Sequence, residues 1–220
     1  MGTSNWQNIS YNIDLVKRLD PQSVLDIGSG FGRWGILFRE FLEVWGERNI
    51  SGKWRRRIDA VEVFKPYIKE YHKFFYSNVY NCDALEFMRK LESTYDLINC
   101  GDVIEHFEKK DALELIGLCL NKSKHLLINI PLGSNWEQGA INDNEYERHR
   151  SSWEMSDFAS YKNNIAEVFE DVELRKFLVI LISNEPIDLT RAYGKHFRLK
   201  SIMKNKLGMA KLVNLISGGK

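Results

Sequence analysis

Asp26 stands two residues ahead of a run of spaced glycines, Gly28, Gly30 and Gly32, with Ser29 between the first two. Glycine has no Cβ, so a turn built this way lets a ligand lie against bare main chain, and a helix that follows it aims its first amides at that ligand. A carboxylate beside the turn is awkward for a pyrophosphate and useful for a cation. Further along, Gly101-Asp102-Val103-Ile104-Glu105-His106 sets two carboxylates and an imidazole within six residues. His149 lies in a second polar stretch, Tyr146-Glu147-Arg148-His149-Arg150. An imidazole, with an ordinary pKa of about 6.5, is the side chain best suited to take a proton from a hydroxyl at neutral pH. His149 is the preferred base and His106 the second candidate, whereas His72 falls in an expected helix and His125 at the start of a strand, and both read as structural. Asp102, Glu105 and His106 could also ligate a metal, but they do not complete an octahedral site without Asn142, Asp143 or Glu147. No metal is therefore expected.

These residues need elements to hold them at one edge. The apolar run over 23–27 reads as a buried strand, and the segment over 34–45, with Leu37, Phe38, Phe41, Leu42 and Trp45 on one side, as the helix after the turn. An amphipathic helix over 5–19 precedes them, stopping before Asp20-Pro21. Strands follow over 58–63, 79–80, 95–100 and 124–130, with helices over 65–74, 84–91 and 109–120 between them. Regular alternation of this kind implies a mainly parallel sheet with helices on both faces. Its carboxyl edge then gathers the glycine turn, Glu62, Asp83 and 101–106, where a doubly wound fold binds its ligand. Glu62 lies 30 positions after Gly32, later than the roughly 20 of a dinucleotide fingerprint. The loop over 46–57, with Lys53, Arg55, Arg56 and Arg57, accounts for the excess and reads as a solvated surface segment, with a basic rim to the site as the alternative.

The pattern Asp26-x-Gly28-x-Gly30-x-Gly32 resembles the first motif of the class I S-adenosylmethionine-dependent methyltransferases, and Asp102-x-x-Glu105-His106 is similar to a segment found after the fourth strand in many of their small-molecule members. The resemblance covers about 20–183. It implies an α/β fold, a doubly wound, mainly parallel seven-stranded Rossmann-like sheet with an antiparallel last strand, here a helix over 155–163 followed by strands at 168–169 and 177–183. It implies S-adenosylmethionine as cofactor, held by Asp26, Gly28, Ser29, Gly30, Gly32, Glu62, Asp83, Ala84 and Gly101. Glu62 would accept the ribose hydroxyls, and Asp83 the adenine amine, with its apolar neighbour against the ring. Asp83 could equally cap the helix at 84–91. His149, His106 and Asp102 are the candidate catalytic residues.

The stretch 131–153 is long, polar and aromatic, and an irregular loop of that length is uncommon in a compact domain unless it acts. It is expected to be a lid over the acceptor, with Trp136, Tyr146 and Trp153 offering flat faces to a sugar ring and Arg148 or Arg150 meeting an anionic group. No Asn-Pro-Pro-Tyr segment follows the fourth strand, which argues against a planar amine acceptor and for a hydroxyl on a small polar molecule.

A chain of 220 residues with a net charge of +1 has room for one full domain and no overall field to gather nucleic acid. Three cysteines without a C-x-x-C pair argue against zinc or a disulfide framework and for a reducing cytoplasm. The longest apolar run, over 177–182, is far short of the roughly 20 residues of a spanning helix. The organisation expected is a methyltransferase domain over 1–189 and a basic tail over 190–220. That tail carries eight Lys or Arg and no acid, and could touch a membrane surface as an amphipathic helix. Two other readings stay open: an RNA methyltransferase using the tail and 53–57 as a phosphate track, and a non-catalytic partner subunit.

Overall fold

The computed structural model describes residues 5–45 and 53–189. The expected tail over 190–220 and the first part of the loop at 46–52 lie outside the described residues. Helix α1 (Ile9–Leu19) leads into β1 (Ser23–Ile27), α2 (Arg33–Arg39, continued by a π turn over Glu40–Val44), β2 (Arg57–Val61), α3 (His72–Phe75) and β3 (Asn78–Tyr80). There follow α4 (Ala84–Lys90), β4 (Tyr95–Gly101), α5 (Lys109–Lys122), β5 (Ser123–Pro131), β6 (Asn164–Glu170) and β7 (Lys176–Ser183). The sheet order is β3-β2-β1-β4-β5-β7-β6. The pairs joining β1 to β5 are parallel, and β7 runs antiparallel to both β5 and β6. Six strands therefore point one way and β7 the other, as the resemblance implied.

The central strands are apolar on both faces because helices cover both. Leu25, Ile27, Ile98 and Ile128 pack toward α4 and α5, and Val24, Ile58, Leu97 and Leu127 toward α1 and α2. Chain order reverses between β1 and β4, which pair directly, so a crevice opens at their carboxyl ends.

Several expected elements differ. The helix over 65–74 is a 3₁₀ turn at Lys65–Tyr67 and a single α-turn at His72–Phe75. Pro66 allows a first turn, but Ile68 is extended (ψ 120°). Tertiary packing outweighs helix propensity there, because the segment carries His72, Phe75 and Tyr76 under the glycine turn. The helix over 155–163 is only a 3₁₀ turn, Met155–Phe158, held by reciprocal Glu154 and Asp157 caps. The sixth strand begins at Asn164 rather than 168, since it pairs residue for residue with β7 from Asn164↔Ile182 to Glu170↔Lys176.

The basic cluster is solvated only in part: Lys53 and Arg55 are exposed, whereas Arg56 and Arg57 are drawn into the fold. Arg56 is buried, its guanidinium on the Pro21 carbonyl (2.8 Å) and the Asp20 carboxylate (2.9 Å). Arg57 lies over the Tyr95 ring at 4.1 Å and donates to the Thr94 carbonyl. The buried pair Arg39 and Glu43 binds the same strand entrance, Arg39 donating to the Arg56 carbonyl and Glu43 accepting from the Arg55 and Arg56 amides.

Candidate active site

The turn after β1 takes its shape from what packs against it. Gly28, Gly30 and Gly32 have φ of 67°, 52° and 83°, a region costly for residues with a Cβ. At Gly28 a Cβ would also fall 2.5 Å from a Val103 methyl. Gly101, at the end of β4, has no room for a Cβ either, because the Trp34 indole covers it. Main chain is thus left bare at the ends of β1 and β4. The His72 ring touches the Gly30 carbonyl through Nε2 at 3.1 Å and supports the turn from below, the structural role expected of it.

Glu62, just past β2, is buried and bridges two amides: Gly30 donates to Oε2 and Phe64 to Oε1, both at 2.8 Å. Burial nevertheless holds its pKa above the usual carboxylate range, with those two amides opposing. Asn81 donates to the Glu62 and Val63 carbonyls and ties the exit of β3 to that of β2. Asp83 caps α4, Oδ1 accepting from the amides of Leu85 (2.9 Å) and Glu86 (3.0 Å), while its residue also lines the crevice.

Asp26 and Gly32 are the cofactor candidates that do not line the crevice, Gly32 because the Phe75 and His72 rings fill the space beside it. The Asp26 carboxylate is fully buried, accepting from the Tyr76 hydroxyl and from the Asn99 amide (2.8 Å). Burial pushes its pKa up to about 6. Direct contact with a bound ligand is replaced in this geometry by a role inside the wall, because period-2 alternation along β1 sets Asp26 on the face of Val24, against Tyr76, while Ile27 on the opposite face lines the crevice.

The other half of the crevice is built by the end of β4 and by 131–153. Asp102 has φ 55°, and the turn Ile104–His106 follows it. The long segment is pinned at both ends. Gly133 donates to the Trp153 carbonyl (2.8 Å), and Arg150 and Ser151 donate to that of Glu105 (2.8 and 3.1 Å). These bonds bring His149 to His106, with ring centroids 5.1 Å apart. His149 Nδ1 lies 2.5 Å from the Trp136 carbonyl and His106 Nδ1 3.2 Å from that of Arg148. A carbonyl only accepts, so Nδ1 carries the proton and Nε2 the lone pair. Burial lowers the pKa of both rings, which makes them neutral at pH 7.

Trp136 lines the crevice with its ring against the Arg175 guanidinium (4.1 Å) and its Nε1 on the Lys176 carbonyl. Tyr146 is exposed on the rim. Two expected lid contacts are corrected. Trp153 is buried in the core, stacked on Phe158 and with the Lys109 ammonium over its ring at 3.6 Å, so it offers no surface to an acceptor. Arg148 pairs with Glu145 at 2.8 Å outside the crevice, and Arg150 is the guanidinium on its wall. Arg175, from the tip between β6 and β7, also lines it, and no motif in the sequence marks it. Glu105, read in the sequence only as an incomplete ligand, is buried here beside both imidazoles. The bonds from Arg150 and Ser151 that place it could not be read from spacing.

One cavity of about 810 Å³ runs from Gly28–Gly30, Glu62 and Asp83 to Glu105, His106 and His149. Pockets for small ligands span roughly 300–1,000 Å³, so this one has room for a nucleoside and a second small molecule. Carboxylates outnumber guanidinium groups on its wall, which suits a cationic nucleoside and repels a pyrophosphate. Among the described residues no helix is long and apolar enough to cross a membrane.

The chain was then compared with known proteins. A family model described as a methyltransferase domain matches residues 7–175. No curated protein sequence matches the chain. Among solved structures it is similar to a SAM dependent methyltransferase from Archaeoglobus fulgidus, with TM-score 0.56, 18% identity, and 80% of this chain and 91% of that chain covered. The N-terminal domain of EvdMO1, determined with SAH and D-fucose, gives TM-score 0.56 at 10% identity, covering 84% of this chain and 85% of that one. The plantazolicin methyltransferase BamL, in complex with a triazolic desmethylPZN analog and SAH, gives 0.52 at 15%, covering 81% and 85%. At such identities the structural matches speak for the fold, while the family match spans most of the chain and fits an acidic crevice at the glycine turn. The chain belongs to the methyltransferase-domain family and is an S-adenosylmethionine-dependent methyltransferase.

Proposed function

We propose that the protein methylates a hydroxyl of a small polar acceptor, such as a sugar or glycan precursor, seated under 131–153. The observation that carries this reading is the pair of neutral imidazoles, His106 and His149, at the far end of the cavity that begins at the glycine turn. A hydroxyl needs help with its proton, unlike a thiolate or a free amine, and neutral imidazole lone pairs offer it.

The cofactor supplies a methyl group on a sulfonium. The chain would hold it with the bare main chain of Gly28, Ser29, Gly30 and Gly101, with Gly32 shaping the turn behind them, with Glu62 on the ribose hydroxyls, and with Asp83 and Ala84 at the adenine. Asp26 would act through the strand it anchors. Asp102, at the mouth of β4, adds negative charge beside the transferred cationic group. On the acceptor side Trp136 and Tyr146 present apolar faces, Arg150 meets an anionic substituent, Arg175, paired with Asp171, backs the Trp136 ring, and His149 and His106 activate the hydroxyl. Positioning of this kind supplies several kcal/mol of a barrier to in-line displacement. The EvdMO1 domain, solved with a sugar and SAH, gives the sugar reading outside support. Arg56 and Arg57 are engaged by the fold, which takes two of the four basic residues over 53–57 from the phosphate track that an RNA methyltransferase would need.

The test is transfer of labelled methyl from S-adenosylmethionine to a panel of monosaccharides, glycosides and nucleotide sugars, set beside amines and RNA oligonucleotides. Label on a carbohydrate hydroxyl is expected. Label confined to an amine or to RNA overturns the proposal.

A further inference from the structure

We propose that Glu105, His106 and His149 form a binding site for one divalent first-row transition-metal ion, at the acceptor end of the cavity. One ligand atom from each residue lies within 4.8 Å of the others, close enough to converge on a single ion. Three further observations point the same way.

The first is Glu105. Its side chain is 1% exposed, and Oε2 has no hydrogen-bond partner. A buried carboxyl oxygen left without a partner is costly, and an ion is one of the few things that accounts for it.

The second is the imidazole pair. Each Nδ1 is engaged by a main-chain carbonyl, of Trp136 for His149 and of Arg148 for His106. This is the arrangement that fixes a ligating ring and leaves Nε2 to the metal. A single general base needs one such imidazole. Two, edge to face at 5.1 Å and beside a buried carboxylate, are more than proton abstraction asks for.

The third is how the ligands are held. The amides of Arg150 and Ser151 bind the Glu105 carbonyl, so the main chain next to His149 is clamped to the main chain of Glu105. The three ligands therefore sit on one rigid unit and not on opposite sides of a hinge.

Two nitrogen ligands and one carboxylate favour zinc, cobalt, nickel, iron or manganese over magnesium and calcium, which prefer oxygen. Three protein ligands also leave positions open. The role of the ion rests on the proposed O-methylation. An ion beside the acceptor hydroxyl would make it more acidic, as zinc does for bound water, and this would replace direct proton abstraction by the two imidazoles, whose lone pairs would then be on the metal. The O–H proton then goes to bulk water as the O–C bond forms, and the electron pair of the breaking C–S bond stays on sulfur.

The test uses the full chain freed of metal with a chelator. Co²⁺ is titrated in with its visible absorption followed, and SAH affinity is measured separately by calorimetry. One Co²⁺ per chain is expected, with Mg²⁺ binding at least about tenfold more weakly. Glu105→Gln and His149→Ala should each weaken Co²⁺ binding by about tenfold or more while SAH affinity is kept. Glu105→Gln conserves shape in the core, so it guards against a variant that fails to fold. Chelation should also abolish labelled methyl transfer, and Co²⁺ should restore it. The proposal is overturned if the protein binds SAH but takes up no Co²⁺, if both variants bind Co²⁺ as well as the wild type, or if Mg²⁺ binds as tightly. Stoichiometric Co²⁺ without transfer to any hydroxyl upholds the metal site and sinks the O-methylation reading instead.

Discussion

Asp26 offers a measurement that tests the wall of the site without any ligand. Its carboxyl is fully buried and its pKa rises from 3.8 to about 6, chiefly through burial, with the Tyr76 and Asn99 hydrogen bonds opposing. A carboxyl whose folded pKa lies above its unfolded value binds its proton more tightly in the fold. The stability it contributes is therefore present below the unfolded value and is lost as pH rises through the folded one. A difference of about 2 units at about 1.4 kcal/mol each gives ~3 kcal/mol in full, of which about 2 kcal/mol falls between about pH 4.5 and pH 7.5. Asp26→Asn removes the titration and keeps both partners, since the amide oxygen can accept from Asn99 and the amide nitrogen can donate to the Tyr76 oxygen. Urea unfolding of both proteins, followed by tryptophan fluorescence across this range, gives the difference in stability. That difference should shift in favour of the variant by about 2 kcal/mol from the acid to the neutral end. A difference that stays flat with pH refutes the reasoning, because other buried carboxyls titrate equally in both proteins.

Glu62→Ala should weaken SAH binding by about 1–3 kcal/mol in calorimetry, and unchanged affinity would remove Glu62 from the cofactor site. Gly28→Ala forces a Cβ against Val103 at a φ of 67°, so thermal unfolding should show a loss of roughly 1–3 kcal/mol; a variant as stable as the wild type contradicts the packing described. Trp153→Ala empties a 1% exposed core position under 131–153, and about 3–5 kcal/mol of stability should go with it. If Trp153 faced the acceptor instead, that variant would lose activity and keep its melting temperature.

The strand order and the cofactor end of the crevice were legible because they rest on local signals. Spaced glycines, an acid at each strand end and a regular alternation of periods each act over a few residues, and the parallel sheet turns them into one edge. The helix over 65–74 was misread because its aromatic residues look amphipathic, whereas His72, Phe75 and Tyr76 are drawn to Gly30, Gly32 and Gly35 from a distance. Arg56 and Arg57 were misread for the opposite reason. A basic run looks solvated until the Pro21 and Thr94 carbonyls that take it are known, and both come from elsewhere in the chain. Trp153 shows the limit most plainly, since nothing in its neighbourhood tells a core tryptophan from one that faces a ligand.

The two ends of the cavity are determined by different kinds of atoms, and this bears on how the protein can vary. At the cofactor end main chain does the shaping. Gly28 and Gly101 are fixed by the Val103 and Trp34 side chains behind them, so a change there damages fold and binding together. At the acceptor end the residues over 131–153 divide into two sets. Trp153, the Trp136 Nε1 and Asn144, whose side chain accepts from the Tyr146 amide, hold the segment in place. Tyr146 and Arg150 reach the cavity, and among the described residues their side chains make no hydrogen bond to that framework. Substitution at these two positions should therefore change which acceptor fits while leaving stability near that of the wild type, as surface changes away from packed features do. The acceptor panel with Tyr146→Ala and Arg150→Ala, run beside thermal unfolding, separates the sets: a melting temperature that falls with acceptor range would show that the framework and the reading surface are one.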